Sequence, residues 1–324
     1  MGSGFGFLGL VFSDNVIGRL VRMKNALNES AGGELLGLAV DEEVLFSNHK
    51  KVFKAGIKKR QSVLAKKLGF LRGVLEEDER IVCISTGCSP MSFLEQWFMG
   101  IWIFFVKRCI FVFTNKRILH IPTKIDYSYR DSLAQILYSD CESVKMKGRT
   151  LVVKYSKKAT ERFYQVAGKE KKKIKVLLEG LLFGGQGSEI GRRTHLCPRC
   201  AGELVKGDYT CSKCGLEFKN KAKARQISLF YPGGGYFYTG HPVLGVLDAL
   251  TEAYLSVWVV SSIVYAVRGV EEAVYQTVFF GILLAIEKSV SIFDSNKFIE
   301  EYIPLKKNYA EEDVIDREEA AKLG

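Results

Sequence analysis

The chain has 324 residues, 47% of them apolar, with a formal net charge of +11, enough for two or three units that each bury a core. The positive balance favours polyanions, either nucleic acid or the anionic inner leaflet of a membrane, and by itself cannot choose between them. Eight cysteines are present but only four sit in tight pairs; this usage suits a reducing compartment and sets aside a disulfide framework.

The start, MGSGFGFLGL, lacks a basic n-region, and Gly6 stands where a myristoylation signal needs Ser or Thr. No targeting peptide is expected. Residues 48–75 carry nine Lys or Arg and no acid, then meet the acidic run Glu76, Glu77, Asp78, Glu79. Phe53, Ile57, Leu64, Leu68, Leu71 and Leu75 recur at helical spacing, with Lys58, Lys59, Lys66 and Lys67 elsewhere, although Gly56, Gly69 and Gly73 weaken the helix. Such a basic amphipathic helix either lies on an anionic membrane or packs on its own protein with solvated lysines.

Short strands are expected at 80–85, 108–113, 117–121, 135–138, 143–147, 150–155 and 162–166, with a hairpin turn at Gly148 and Arg149. A helix over 168–183 follows, with Ile174, Leu177, Leu178, Leu181 and Leu182 on one face. The run IFVFTNKRILHI, residues 110–121, resembles the strand–turn–strand signature of bacterial pleckstrin-homology-like and GRAM-like domains. That resemblance covers about 76–182 and implies a small barrel or curved sheet capped by a C-terminal helix, commonly used to bind lipid headgroups or peptides at membranes. It supplies no catalytic residue.

Residues 89–106 depart from that pattern with a dense aromatic stretch. From 96 to 106 no charge occurs; eleven residues are too few to span a bilayer but enough to dip into its headgroup region. Trp97, Trp102, Phe104 and Phe105 are therefore candidate lipid contacts, the alternative being a buried strand pair.

After a glycine-rich linker at 184–193 come CPRC, Cys197 to Cys200, and CSKC, Cys211 to Cys214. Two such knuckles supply four thiolates in a tetrahedron and leave no open position, so the expected cofactor is one structural zinc ion. The pattern resembles the zinc-ribbon family, with Pro198 in the first knuckle and Gly215 after the second, but with Ala201 where glycine often follows the first. Two disulfides or a redox dithiol are the weaker alternatives, and His195 is a spare ligand expected to be unused.

Beyond the basic run KNKAKAR, residues 228–247 (SLFYPGGGYFYTGHPVLGVL) resemble the start of TM2-like bacterial membrane domains over about 227–298. Two apolar segments, 243–267 and 273–293, form a membrane hairpin, although their uncharged stretches reach only fifteen and fourteen residues. Asp248, Glu252, Glu287 and Lys288 are expected to cluster and pair near the cytoplasmic end. Lysine and arginine flank the hairpin on both sides, which places both flanks in the cytoplasm.

The organisation expected is thus α+β and multi-domain: an N-terminal helical region (1–75), a PH-like barrel or curved sheet with its C-terminal helix (76–183), a linker (184–193), a four-cysteine zinc ribbon (194–219), membrane helices (226–303) and an acidic tail (304–324). The leading function is an inner-membrane-anchored cytoplasmic scaffold that binds lipid headgroups or protein partners. Nucleic-acid binding through basic residues near the ribbon is the runner-up, and ion or solute transport through the hairpin comes third. Dispersed histidines, a closed metal site and the lack of a P-loop or nucleophile elbow argue against an enzyme.

Overall fold

The computed structural model describes residues 33–156, 159–181, 183–184 and 192–306. Expectations for the first 32 residues, for Leu182, for linker residues 185–191 and for the acidic tail beyond residue 306 lie outside them. Among the described residues, mixed α and β structure forms two compact units, one built from 33–90, 108–129 and the described part of 134–194, the other from 91–107, 130–133 and 195–306.

In the first unit each of the seven expected runs overlaps a strand: β3 (Ile81–Cys88), β4 (Arg108–Thr114), β5 (Arg117–Pro122), β6 (Leu133–Leu137), β7 (Cys141–Lys147), β8 (Thr150–Tyr155) and β9 (Thr160–Phe163), the last shifted so that only 162 and 163 of the expected 162–166 are strand. Two shorter strands, β1 (Gly33–Leu35) and β2 (Leu38–Val40), precede them in a region expected to be helical. Strands β3 to β6 are antiparallel neighbours, and β2 meets β3 in parallel at Val40 and Ile81. Strands β7, β8 and β9 form a second antiparallel sheet, with Gly148 at φ +62° in its first turn.

Cys88 and Tyr164 exchange two backbone hydrogen bonds, of 2.8 and 3.0 Å, and so join the end of β3 to the chain just after β9. The curled sheets enclose Phe111, Phe113, Leu151, Val153, Tyr155 and Phe163, and Ile174 and Leu178 of the helix Lys171–Glu179 complete this core. Alternating inward residues on β8, Leu151, Val153 and Tyr155, follow the period of two that a half-buried strand requires.

The basic stretch forms a helix only over Ala55–Ala65, followed by a 3-10 turn at Gly69–Gly73 where its glycines lie. Its buried stripe is Gln61, Ala65, Leu68, Leu71 and Val74, whereas Phe53 is 58% exposed. The apolar face therefore packs on its own protein from Gln61 onward and excludes Phe53. Gln61 is fully buried and uses both ends of its amide: Nε2 donates to the Ile84 carbonyl at 2.9 Å and Oε1 accepts from the Ile84 N–H at 2.8 Å. It thereby satisfies β3 backbone groups where β2 has already ended.

The acidic run docks on the Thr-Asn-Lys-Arg turn between β4 and β5. Glu79 is fully buried and takes a bidentate pair from Arg117, at 2.7 and 2.9 Å, plus the Thr114 hydroxyl at 2.8 Å. Asn115 accepts from the Arg80 N–H and donates to the Asp78 carbonyl, while Lys116 pairs with Glu76 and Asp78. In this chain the motif residues Thr114, Asn115 and Arg117 hold the sheet's entry loop.

In the second unit, the aromatic stretch is helical, which replaces the strand pair weighed for it. A helix at Phe93–Met99 is opened by a capping box between Ser92 and Glu95, and it continues through a 3-10 turn, Gly100–Trp102, into Ile103–Val106. Two long helices, Pro242–Val267 and Glu271–Ile299, contain 26 and 29 residues. At 1.5 Å per residue they reach about 39 and 43 Å, more than the ~30 Å hydrocarbon thickness. Only 17% and 6% of their most apolar windows are buried, unlike the core helices of a water-soluble domain.

Residues 221–240 do not form a third helix of that length. The helix Lys221–Phe230 stops before Pro232, and a five-residue helix, Gly234–Tyr238, returns to the first long helix. Glycine is required in this turn: a Cβ on Gly233, at φ +66°, would lie 2.0 Å from the Gly245 carbonyl oxygen, and one on Gly235 would lie 2.1 Å from Ser228 Oγ.

Candidate functional site

The four paired cysteines converge. All are free thiols, with Cys197 Sγ 3.5 Å from Cys214 Sγ and Cys200 Sγ 3.7 Å from Cys211 Sγ. A disulfide needs sulfurs about 2.05 Å apart, whereas a tetrahedral site with bonds of about 2.3 Å sets them about 3.8 Å apart. The cluster is thus dimensioned to hold a metal ion, with four soft sulfur donors that suit zinc.

Both knuckles fold alike. Ala201 and Gly215, each four residues after the first cysteine of its knuckle, donate their N–H to that cysteine's carbonyl at 2.9 Å. Cys197 N–H then donates to the Gly202 carbonyl, and Cys211 N–H to the Leu216 carbonyl, at 2.8 and 2.9 Å. The shared turn demands a left-handed residue: φ is +71° at Gly215 and +53° at Ala201, so the alanine adopts the conformation glycine favours. Burial works against ionisation of Cys211, but the backbone N–H groups of Lys213 and Cys214 and the neighbouring thiols outweigh it and bring its pKa down to about 7. His195 lies against the Tyr302 ring, with centroids 5.1 Å apart, and is not one of the four clustered donors.

The four-cysteine module is tied to the segments on both sides of the helix pair. Phe218, three residues before the helix Lys221–Phe230, makes an isolated β-bridge with Pro304, which follows the second long helix. Lys219 N–H donates to the Ile303 carbonyl and Leu305 N–H to the Glu217 carbonyl, both at 2.9 Å. Tyr302 inserts into the ribbon core with Leu204, Leu216 and Phe218, and its hydroxyl donates to the Val205 carbonyl at 2.6 Å. Sequence spacing gave no sign of this return.

Asp248, Glu252, Glu287 and Lys288 also come together, as expected. The three acids approach within 4.8 Å, Lys288 Nζ lies 2.6 Å from Glu252, and Ser291 Oγ donates to Asp248 at 3.0 Å. Lys288 further donates to the Ser228 carbonyl at 2.7 Å, near the end of the helix Lys221–Phe230. By helical rise the group lies roughly 9 to 18 Å from the Pro242 and Ile299 ends, deeper than the helix-end position expected.

Of the candidate lipid contacts, Trp97 and Trp102 are 73% and 52% exposed, whereas Phe104 and Phe105 are half-buried. Lys58, Lys59 and Lys66 are exposed and Lys67 is half-buried, its ammonium donating to the Asp126 carbonyl. The sequence also did not reveal a cavity of about 190 Å³ in the first unit, lined by Val82, Phe113, Tyr138, Leu177 and Leu181 and, among polar residues, His49 and Asn115. Beside it Lys173 is buried and donates to the Val44 and Leu45 carbonyls; burial pushes its pKa down.

No family model, curated protein or solved structure matches this chain.

Proposed function

We propose that the protein is a membrane-anchored scaffold: the two long helices span the bilayer, and a structural zinc ribbon and a PH-like sheet are cytoplasmic modules that bind lipid headgroups or protein partners. One observation carries this reading. The four-cysteine module is tied to the segments on both sides of an exposed apolar helix pair, so metal and anchor form one unit whose purpose is to hold a surface near the membrane. A closed four-thiolate site stabilises structure and offers no open coordination position for a substrate. The cavity in the sheet unit gives that module a place for a small apolar group.

Cytoplasmic placement of both flanks follows from the lysines on either side of the helix pair, and it keeps the thiolates reduced. Nucleic-acid binding is disfavoured because Phe218, one of two aromatics available for base stacking on the ribbon, is buried in the ribbon's own core. Ion transport remains the second reading, favoured by the convergence of Asp248, Glu252, Glu287 and Lys288 between the long helices.

The test is fractionation of the expressed chain combined with metal analysis. Release from membranes by detergent but not by carbonate, with about one zinc per chain, is the expected result. Carbonate release overturns the anchor, and a metal-free, folded chain overturns the zinc ribbon. Proton or cation flux in liposomes, abolished by Asp248→Asn, would shift the reading to transport.

A further inference from the structure

The segment 92–107 is an amphipathic element turned inside out. Glu95, Met99, Ile103 and Lys107, four residues apart, form its buried stripe, at 4%, 9%, 0% and 7% exposure. Within that stripe Glu95 and Lys107 make an ion pair of 2.8 Å, and the other Glu95 oxygen takes the Ser92 N–H at 2.7 Å. The outward side carries Phe93, Leu94, Trp97, Phe98, Ile101 and Trp102, at 44 to 75% exposure, with no charge among them. A helix facing water puts its charges outside and its aromatics inside. Here both choices are reversed, and a contiguous face of six large apolar side chains marks a contact surface.

The surroundings within this unit identify the partner. Met99 and Ile103 pack with Tyr236, Phe298 and Ile303, and Leu244 borders the same cluster. Phe298 lies in the last turn of the second long helix and Leu244 in the first turn of the first, so the segment is fixed at the foot of the helix pair. Lys221 and Lys297 lie at that foot, both paired with Glu300. Two tryptophans on an uncharged face, beside lysines and at the start of a span, are the composition of the headgroup level. The fourteen residues of Phe93–Val106 would extend at most about 21 Å as helix, short of a crossing, so the element lies in the plane of the membrane.

We infer that Phe93–Val106 is a monotopic interfacial anchor, immersed in the same leaflet surface from which the two long helices enter, with Phe93, Leu94, Trp97, Phe98, Ile101 and Trp102 in the boundary between headgroups and acyl chains. The inference rests on the reading that the long helices span the bilayer, and it adds a third, non-spanning membrane contact. The buried Glu95–Lys107 pair closes the inner side of this element and keeps its only two flanking charges away from lipid.

The chain's three tryptophans make the test direct, because only Trp97 and Trp102 lie in the segment and Trp258 lies within the first long helix. The full chain is reconstituted in nanodiscs of phosphatidylcholine and phosphatidylglycerol whose acyl chains are brominated either near the headgroup or near the terminal methyl. In Trp258→Phe, the two remaining tryptophans are expected to lose emission to the shallow bromines, at the level where an interfacial helix lies, much less to the deep ones, and to resist aqueous acrylamide. In the double variant W97F/W102F, Trp258 reports the helix pair separately.

Quenching of Trp97 and Trp102 by acrylamide but not by bromine overturns the anchor. Protection from both quenchers also overturns it, because the face is then covered by protein, a second copy included. Bromine quenching of Trp258 alone rejects the anchor and leaves the spanning helices intact, whereas no quenching in either variant rejects the membrane reading as a whole. Should Trp258→Phe misfold, the shallow-bromine quenching lost between the wild-type chain and W97F/W102F gives the same comparison.

Discussion

Ala201 is the strained member of two matched turns, and replacing it with glycine should tighten the metal centre. Its φ of +53° places an L-residue in the left-handed region, at a cost of about 1–2 kcal/mol. Glycine removes that strain but loosens the unfolded chain, which returns about 0.4–1 kcal/mol. The net gain for Ala201→Gly is therefore about 0–1.6 kcal/mol, centred on ~0.8 kcal/mol. With zinc in the four-cysteine cluster, as proposed, folding of the module and metal binding would be one equilibrium, and the gain should appear as about two- to fivefold stronger zinc retention. Gly215→Ala is the reciprocal perturbation: a Cβ there meets open space, so only backbone strain acts, and retention should fall by a similar factor. Competition between the detergent-purified chain and a chromophoric chelator measures both. Unchanged or weaker retention in Ala201→Gly, with Gly215→Ala neutral, would refute the equivalence of the two knuckles.

Other perturbations test separate parts of the molecule. Gln61→Ala strands the buried Ile84 N–H and carbonyl and should cost about 2–4 kcal/mol, read as a lower unfolding midpoint. Glu79→Ala leaves Arg117 buried without its carboxylate and should cost about 3–5 kcal/mol, seen as faster limited proteolysis of the sheet unit. Gly235→Ala forces a methyl against Ser228 and Ser295 and should lower the thermal midpoint by the equivalent of about 1–3 kcal/mol. Burial, reinforced by the nearby cations of Arg130, Lys107 and Lys219, holds His241 well below the usual imidazole range. The unfolded chain takes up a proton that the folded ring refuses, so this contribution is complete above about pH 6.5 and is lost as pH falls below it. The thermal midpoint in detergent should drop on acidification, and His241→Gln should flatten that dependence.

What could be read from the sequence follows how local the determining physics is. The seven strands β3 to β9 show in runs of β-branched and aromatic residues, and the cysteine knuckles in a spacing that depends on a few adjacent residues. The hairpin of β1 and β2 was hidden because its turn places Leu36 at φ +58° before Gly37, where Asn or Asp ordinarily signals such a turn. Residues 93–107 left two readings open because an apolar aromatic run fits a buried strand and an exposed helix equally. The deciding feature is the burial of Glu95 and Lys107, a tertiary fact. The partners of Gln61 and the return of Tyr302 to the ribbon likewise join residues far apart in the chain and leave no periodicity to detect.

That return also sets a timetable for biogenesis. The ribbon's thiols leave the ribosome before the long helices are made, yet Tyr302 and Pro304, which complete its core and its outer edge, are synthesised after them. During translation the young thiolates can capture metal only in an unfinished pocket. A finished cluster therefore records that the helix pair has been made and that its far end has come back, so a chain truncated before Tyr302 should carry cysteines open to chelators and proteases.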